Sequence, residues 1–220
     1  CFIGSEKQLF IDDYIIDTMA GLRKVLNQPK RCDGNLIVVG DKPWEERGVG
    51  ISSNSVHYDE EDEIFKMWYD TRSGVAYATS KDGIHWEKPI LGVTEWQGSR
   101  ENNLVNPGRN FSVFKDLQET DPSKRYKALY WHALVGTAKP FGGKGHHAAF
   151  SPDGIHWTPL PESPVMSYDH GVTDGQFVLG WDLKHGKYVA YVRPIPELFD
   201  PMKRTVAWTS SEDFINWSQC

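Results

Sequence analysis

The sequence predicts an all-β protein built from a repeated strand–turn–strand unit, and three observations predict it. The first is a motif written three times: Ser80-Lys81-Asp82-Gly83-Ile84-His85-Trp86, then Ser151-Pro152-Asp153-Gly154-Ile155-His156-Trp157, then Ser211-Glu212-Asp213-Phe214-Ile215-Asn216-Trp217. The second is its spacing, 71 residues (151 − 80) and then 60 (211 − 151). The third is the alternating apolar run that ends at each Ser, over residues 75–79, 147–150 and 206–210. Each unit reads as a strand, a tight turn and a second strand opened by Ile and Trp. β units recurring at such a period are the signature of a β-propeller or another stacked-sheet array.

Residues 1–42 read as entry strands docking on that array, one at residues 9–17 and a second at 22–26. Asp12 and Asp13 are not a carboxylate pair there, because neighbours in a strand point to opposite faces. The first blade runs over about 43–91, with strands at 51–58, 64–69, 75–80 and around Trp86, and a solvated turn at 59–63. The second runs over about 102–160, opening at 102–105 and continuing through 111–114, 125–131, 146–151 and Trp157. Its Gly-rich insert at 139–145 is a loop and matches no phosphate-binding pattern. The third runs over 173–220, with strands at 173–181, 188–193, 206–210 and around Trp217.

Composition agrees. Nine Trp, nine Tyr and ten Phe among 220 residues suit sheets packed face to face, and they suit sugar-stacking platforms too. The net charge of −6 is spread without long runs, which argues against a nucleic-acid partner. No apolar run approaches the roughly 20 residues of a membrane span. Cys1, Cys32 and Cys220 are too few and too scattered for a metal cluster or a disulfide framework. Neither a metal nor another cofactor is expected.

In a four-stranded meander the repeated turns share one rim. Their Asp82, Asp153 and Asp213 read as turn caps, with His85 and His156 equally structural, and their three Trp read as buried, equivalent blade contacts. The opposite rim collects a different set. Asp174 opens the first strand of the third blade. Asp70 and Arg72 follow the second strand of the first blade, Trp131 and His132 that of the second, and Arg193 ends that of the third. His146 and His147 open the third strand of the second blade, Arg204 precedes that of the third, and Glu45 and Glu46 precede the first blade. Carboxylates, His, Arg and Trp converging on one end build a small polar-ligand site. Asp174, with Gly175 beside it, is the candidate catalytic residue. Asp70, Arg72, His132, His146, His147, Arg193 and Arg204 are the candidate substrate-binding residues. Alternation lets only one of the two histidines face the funnel.

At these residues the chain resembles a family. Ser-x-Asp-Gly-Ile-His-Trp is similar to a shortened Asp-box turn of sialidase-type propellers. The stretches LFIDDYII (9–16), FKMWYDTRSGVAYATSKDGIHWEKP (65–89), RYKAL (125–129), FSPDGIHW (150–157) and TDGQFVLGWDLKHGKYVAYVR (173–193) resemble bacterial proteins grouped with five-bladed glycoside-hydrolase propellers. The resemblance implies a five-bladed type of which about three blades lie in this chain, and a glycoside hydrolase acting on a carbohydrate at the funnel. Propeller hydrolases of the invertase and arabinanase clans use three acidic residues on inner strands, one protonating the leaving oxygen and another attacking or activating water. Here only the third blade carries an acid at the inner-strand start, Ile51 and Gly108 standing at the matching places of the first two. A glycoside phosphorylase and a non-catalytic sugar-binding propeller or fragment are the alternatives. The third blade's far face is expected to lie open, so that Cys220 marks a truncation or the face self-associates. A secreted or periplasmic location is expected, and a lipoprotein if Cys1 is the acylated first residue of a processed chain.

Overall fold

Strands form over the alternating apolar run that precedes each of the three motifs. The computed structural model describes residues 12–31, 34, 37–46, 48–106, 108–131, 145–167, 172–194 and 205–220, with backbone alone at 52, 53, 106 and 172–179. It divides into two units, Cys1–Asn35 and Leu36–Cys220.

In the first unit the described residues form turns and irregular chain where two strands were expected. Asp12 accepts from the Tyr14 backbone N–H at 3.0 Å, and Ile16 N–H donates to the Asp13 carbonyl at 3.0 Å. Leu22, Val25 and Leu26 are exposed, so the apolar alternation there has no buried face to serve. The start of the expected first strand lies outside the described residues.

The described residues of the second unit form three antiparallel sheets. The first comprises β1 (Gly50–Asp59), β2 (Ile64–Thr71), β3 (Gly74–Ser80) and β4 (Leu104–Asn106), in that spatial order. The second comprises β5 (Arg109–Lys115), β6 (Tyr126–Trp131), β7 (His146–Ser151) and β8 (Thr158–Pro159). The third comprises β9 (Val172–Asp182), β10 (Lys187–Pro194) and β11 (Ala207–Ser211). The repeat is kept at the level of single pairs. Phe65 faces Ser80, Tyr126 faces Ser151 and Tyr188 faces Ser211, so each motif Ser meets the aromatic that begins its sheet's second strand.

One boundary differs from expectation. Residues 104–106, read as the opening of the second blade, pair with β3 and form the outer edge of the first sheet. The Trp86 strand shrinks to a bridge between Thr79 and Glu87. A loop over 88–103 then intervenes before the edge resumes.

β1, β5 and β9 lie against one another, which makes the first strand of each sheet its inner edge. The sheets stack as blades do. Trp68, Val75 and Tyr77 pack on Phe111, Val113, Tyr126 and Ala128 of the second sheet. Leu129, Ala148 and Phe150 pack on Tyr188, Ala190 and Val192 of the third. The outward face of the third sheet carries the cross-strand pair Tyr191 and Trp208, 41% and 60% exposed.

The three motif turns are near-copies. In each, one carboxylate oxygen of Asp82, Asp153 or Asp213 accepts the backbone N–H groups two and three residues on, all at 2.7–2.8 Å. The other oxygen takes His85 Nδ1, His156 Nδ1 or Asn216 Nδ2, each at 2.7 Å. Each Trp donates its indole N–H to the carbonyl three residues back. Trp217 is buried, while Trp86 and Trp157 are only half-buried. Their positions are equivalent as expected; the depth of burial is not.

Candidate functional site

The rim opposite the repeated turns is where the inner strands begin. Asp174 lies there in β9. Val192 pairs with Gln176 and Pro194 with Val172, with an irregularity between, so Arg193 stands across from residues 173–175. Counting five residues from the aromatic that faces each motif Ser, Arg193 occupies the place held by Asp70 in the first sheet and Trp131 in the second.

Asp70 ends β2 and reaches the next sheet. Its two carboxylate oxygens lie 3.1 and 3.2 Å from the Asn110 backbone N–H at the start of β5. Arg109 Nη2 donates to the Arg72 carbonyl at 3.4 Å. The register of β5 slips between Arg109 and Ser112, and Asn110 sits at φ 52°, a left-handed conformation that Asn tolerates better than most residues. This bulge aims the exposed Arg109 at the first sheet. Sequence reasoning missed Arg109 and Asn110, because the bulge that turns them outward has no compositional mark beyond one Asn.

His146 and His147 are both fully buried. The His147 ring packs 5.7 Å from Tyr130 and the His146 ring 5.2 Å from Trp131, on opposite faces of the sheet. The alternation is real, but each face is covered by a neighbouring sheet, so neither ring opens on solvent. Glu45 is also buried: Oε1 accepts from Tyr69 OH at 2.6 Å and Oε2 from Lys88 Nζ at 2.8 Å. Glu46 is exposed. His132 and Arg204 lie outside the described residues. No group of His, Cys, Asp and Glu among the described residues is arranged to hold a metal.

The opposite rim holds a structure that sequence reasoning did not find. Asp59, read as part of a solvated turn, is buried. Its Oδ2 accepts from Lys66 Nζ and from Tyr126 OH of the next sheet, both at 2.7 Å, and its Oδ1 accepts from Lys115 Nζ at 2.6 Å. Burial alone would raise the Asp59 carboxyl, but hydrogen bonds from Lys115, Lys66 and Tyr126 outweigh it and hold it far below the usual range. Burial likewise opposes the Lys66 charge, and the bonds to Asp59 and Asp62 win, raising its pKa. The same triangle recurs one sheet on: Asp116 Oδ2 accepts from Lys127 Nζ at 2.9 Å and from Tyr188 OH at 2.7 Å. Asp59, Lys66, Lys115, Trp68 and Tyr126 line a cleft of about 370 Å³ on this rim.

Neither a protein-family model nor a curated protein sequence matches the chain. Among solved structures it is similar to the exo-inulinase of Aspergillus awamori, with a TM-score of 0.51, 16% identity, and 77% of this chain over 36% of that one. It is similar to an endo-arabinase of Bacteroides thetaiotaomicron, with a TM-score of 0.50, 11% identity, and coverage of 77% and 54%. A glycosyl hydrolase of Bacteroides ovatus gives 0.50, 16%, and coverage of 83% and 55%. Identities this low speak for fold alone. The chain has the all-β propeller fold of these glycoside hydrolases. It spans between about a third and just over half of their length.

Proposed function

We propose that the chain acts on a carbohydrate at the end of the array where the inner strands begin, as part of a glycoside hydrolase-like propeller. The observation that carries this reading is the meeting of strand ends from neighbouring sheets there: Asp70 holds the entry of β5, Arg109 reaches Arg72, and Arg193 stands across from the Asp174 segment. In this reading Asp174 serves as base or as stabiliser of an oxocarbenium-like transition state. Asp70, Arg72 and Arg193, with His132 and Arg204, hold sugar hydroxyls. His146 and His147 serve from within, as packing behind Trp131 and Tyr130. A secreted or periplasmic location accompanies it.

One observation favours a second reading, a sugar-binding module without turnover. Glycoside hydrolysis needs two carboxyl groups facing one bond, and the Asp70 carboxylate is already engaged by the Asn110 N–H. Release of nitrophenol from aryl glycosides, with and without phosphate, tests both on wild type and Asp174→Asn. Phosphate-independent turnover lost in the variant is the expected result. Strict phosphate dependence identifies a phosphorylase, and sugar binding without turnover by either protein identifies the binding module.

A further inference from the structure

Three arginines, Arg72, Arg109 and Arg193, stand on the candidate rim of a chain whose net charge is −6. Arg72 leaves the end of β2 and Arg109 enters β5, and the Arg109 guanidinium touches the Arg72 backbone. Neither guanidinium makes an ion pair with a described carboxylate, and both residues are exposed. The nearest carboxylate along the chain, Asp70, is directed at the Asn110 N–H instead. Arg100 shares this pattern, donating only to the Gly92 and Val93 carbonyls at 3.4 and 3.5 Å, while the more buried cations are paired. Arg125 is paired with Glu61 at 3.0 Å, and Lys66, Lys88, Lys115 and Lys127 each bind two carboxylates. The bulge at Asn110 is what turns Arg109 toward Arg72.

Resting on the reading of this rim as a carbohydrate site, we infer that its ligand is an anionic sugar, a uronic acid, whose carboxylate is clamped by Arg72 and Arg109. The planar, always-charged guanidinium matches a carboxylate bidentately, with a geometric selectivity that an ammonium lacks. Two such groups from different sheets, on a rim that also carries Arg193, give a sugar carboxylate partners that a neutral hydroxyl would use only weakly.

The test is calorimetric titration of the whole chain with a galacturonic-acid trisaccharide, the corresponding neutral galactose trisaccharide and a sulfated galactose, at low and high salt. The acidic saccharide is expected to bind about tenfold tighter than the neutral one, as a charge-assisted pair is worth. That preference should shrink with salt and vanish in Arg72→Gln and Arg109→Gln, the acidic saccharide losing about tenfold more affinity than the neutral one. Arg109→Lys should restore the salt dependence without the full preference. Equal affinity for acidic and neutral sugars, or a preference that survives both Gln variants, overturns the inference and leaves the carbohydrate reading standing. Tighter binding of the sulfated sugar than of the uronate overturns the carboxylate clamp. Binding of none of the three overturns both.

Discussion

The Tyr126 hydroxyl of the second sheet lies 2.7 Å from the Asp59 carboxylate that ends the inner strand of the first. Lys66 Nζ closes the triangle, 2.7 Å from that carboxylate and 3.0 Å from the hydroxyl. Between the second and third sheets Tyr188 and Lys127 likewise both reach Asp116, at 2.7 and 2.9 Å. These are the polar seams of an interface that is otherwise apolar and aromatic.

Removing one corner should be costly in proportion to what it leaves behind. Tyr126→Phe or Tyr188→Phe removes a hydrogen bond to a buried charge, an expected loss of about 1.5–3 kcal/mol. Lys127→Met strands the Asp116 carboxylate in a buried position, and about 3–5 kcal/mol is expected. Urea denaturation measures both. A Lys127→Met protein as stable as wild type would mean that the triangle is decorative.

The same groups set a pH window. Asp59 and Asp116 ionise at lower pH folded than unfolded, so their stabilisation is complete above about pH 4 and disappears as pH falls through their folded values. Lys66 and Lys115 hold their protons more tightly folded, so their contribution is complete below about pH 10 and is lost above it. The urea midpoint should be flat across neutral pH and fall at both ends. A midpoint unchanged down to pH 3 contradicts this.

Among the motif tryptophans, Trp217 is buried and Trp86 and Trp157 are not fully so. Trp217→Ala should therefore cost the most, about 3–5 kcal/mol, as for deletion of a large core side chain. Thermal or urea melts of the three Ala variants give the ranking, and Trp86→Ala proving the worst would reverse it.

Two glycines with the same backbone should differ for want of room. Gly83 and Gly154 have φ of 73° and 78°, so any side chain is strained at either. A Cβ at Gly83 would meet Phe65 at 3.7 Å, an ordinary contact, whereas at Gly154 it would lie 2.6 Å from the buried Trp68 ring. Gly83→Ala is expected to cost about 1–2 kcal/mol, and Gly154→Ala clearly more. Equal melting temperatures for the two variants would sink the argument. The third repeat has Phe214 at this place, φ 66°, and it is buried against Tyr188 and Trp217 at 5.2 and 5.5 Å. Packing there offsets a strain that glycine avoids.

The strands were legible because period-2 alternation and the Ser-x-Asp-x-Ile-x-Trp turn are local signals, visible within a dozen residues. Asp59 was not, because it begins the acidic run Asp59-Glu60-Glu61-Asp62-Glu63, which reads as solvated. What buries it are Lys66 and Tyr126, and Tyr126 comes from another sheet. β4 was misassigned because Pro89, Gly92 and Gly98 punctuate the chain after Trp86 and hide the return of the edge strand. For His146 and His147, alternation separates two faces of a sheet, but in a stack both faces are interior. The rim that gathers Asp70 and Arg72 was readable from topology. Its partners Arg109 and Asn110 depend on a bulge, which composition does not announce.

The seams have a direction. Among the described residues only the second sheet carries both halves of the joint, Tyr126 toward the first sheet and Asp116 with Lys127 toward the third. The first has Phe65 where the tyrosine would be, and the third has Val189 where the lysine would be, with Asp182 turned to its own His185 at 2.6 Å. A gene lengthened by copying the middle unit would preserve every mating pair. One lengthened by copying the third would set Tyr188 against Asp182 with no ammonium between them. Comparing the melts of the two lengthened chains would show whether inheritance can add a blade at one point of this array and not at another.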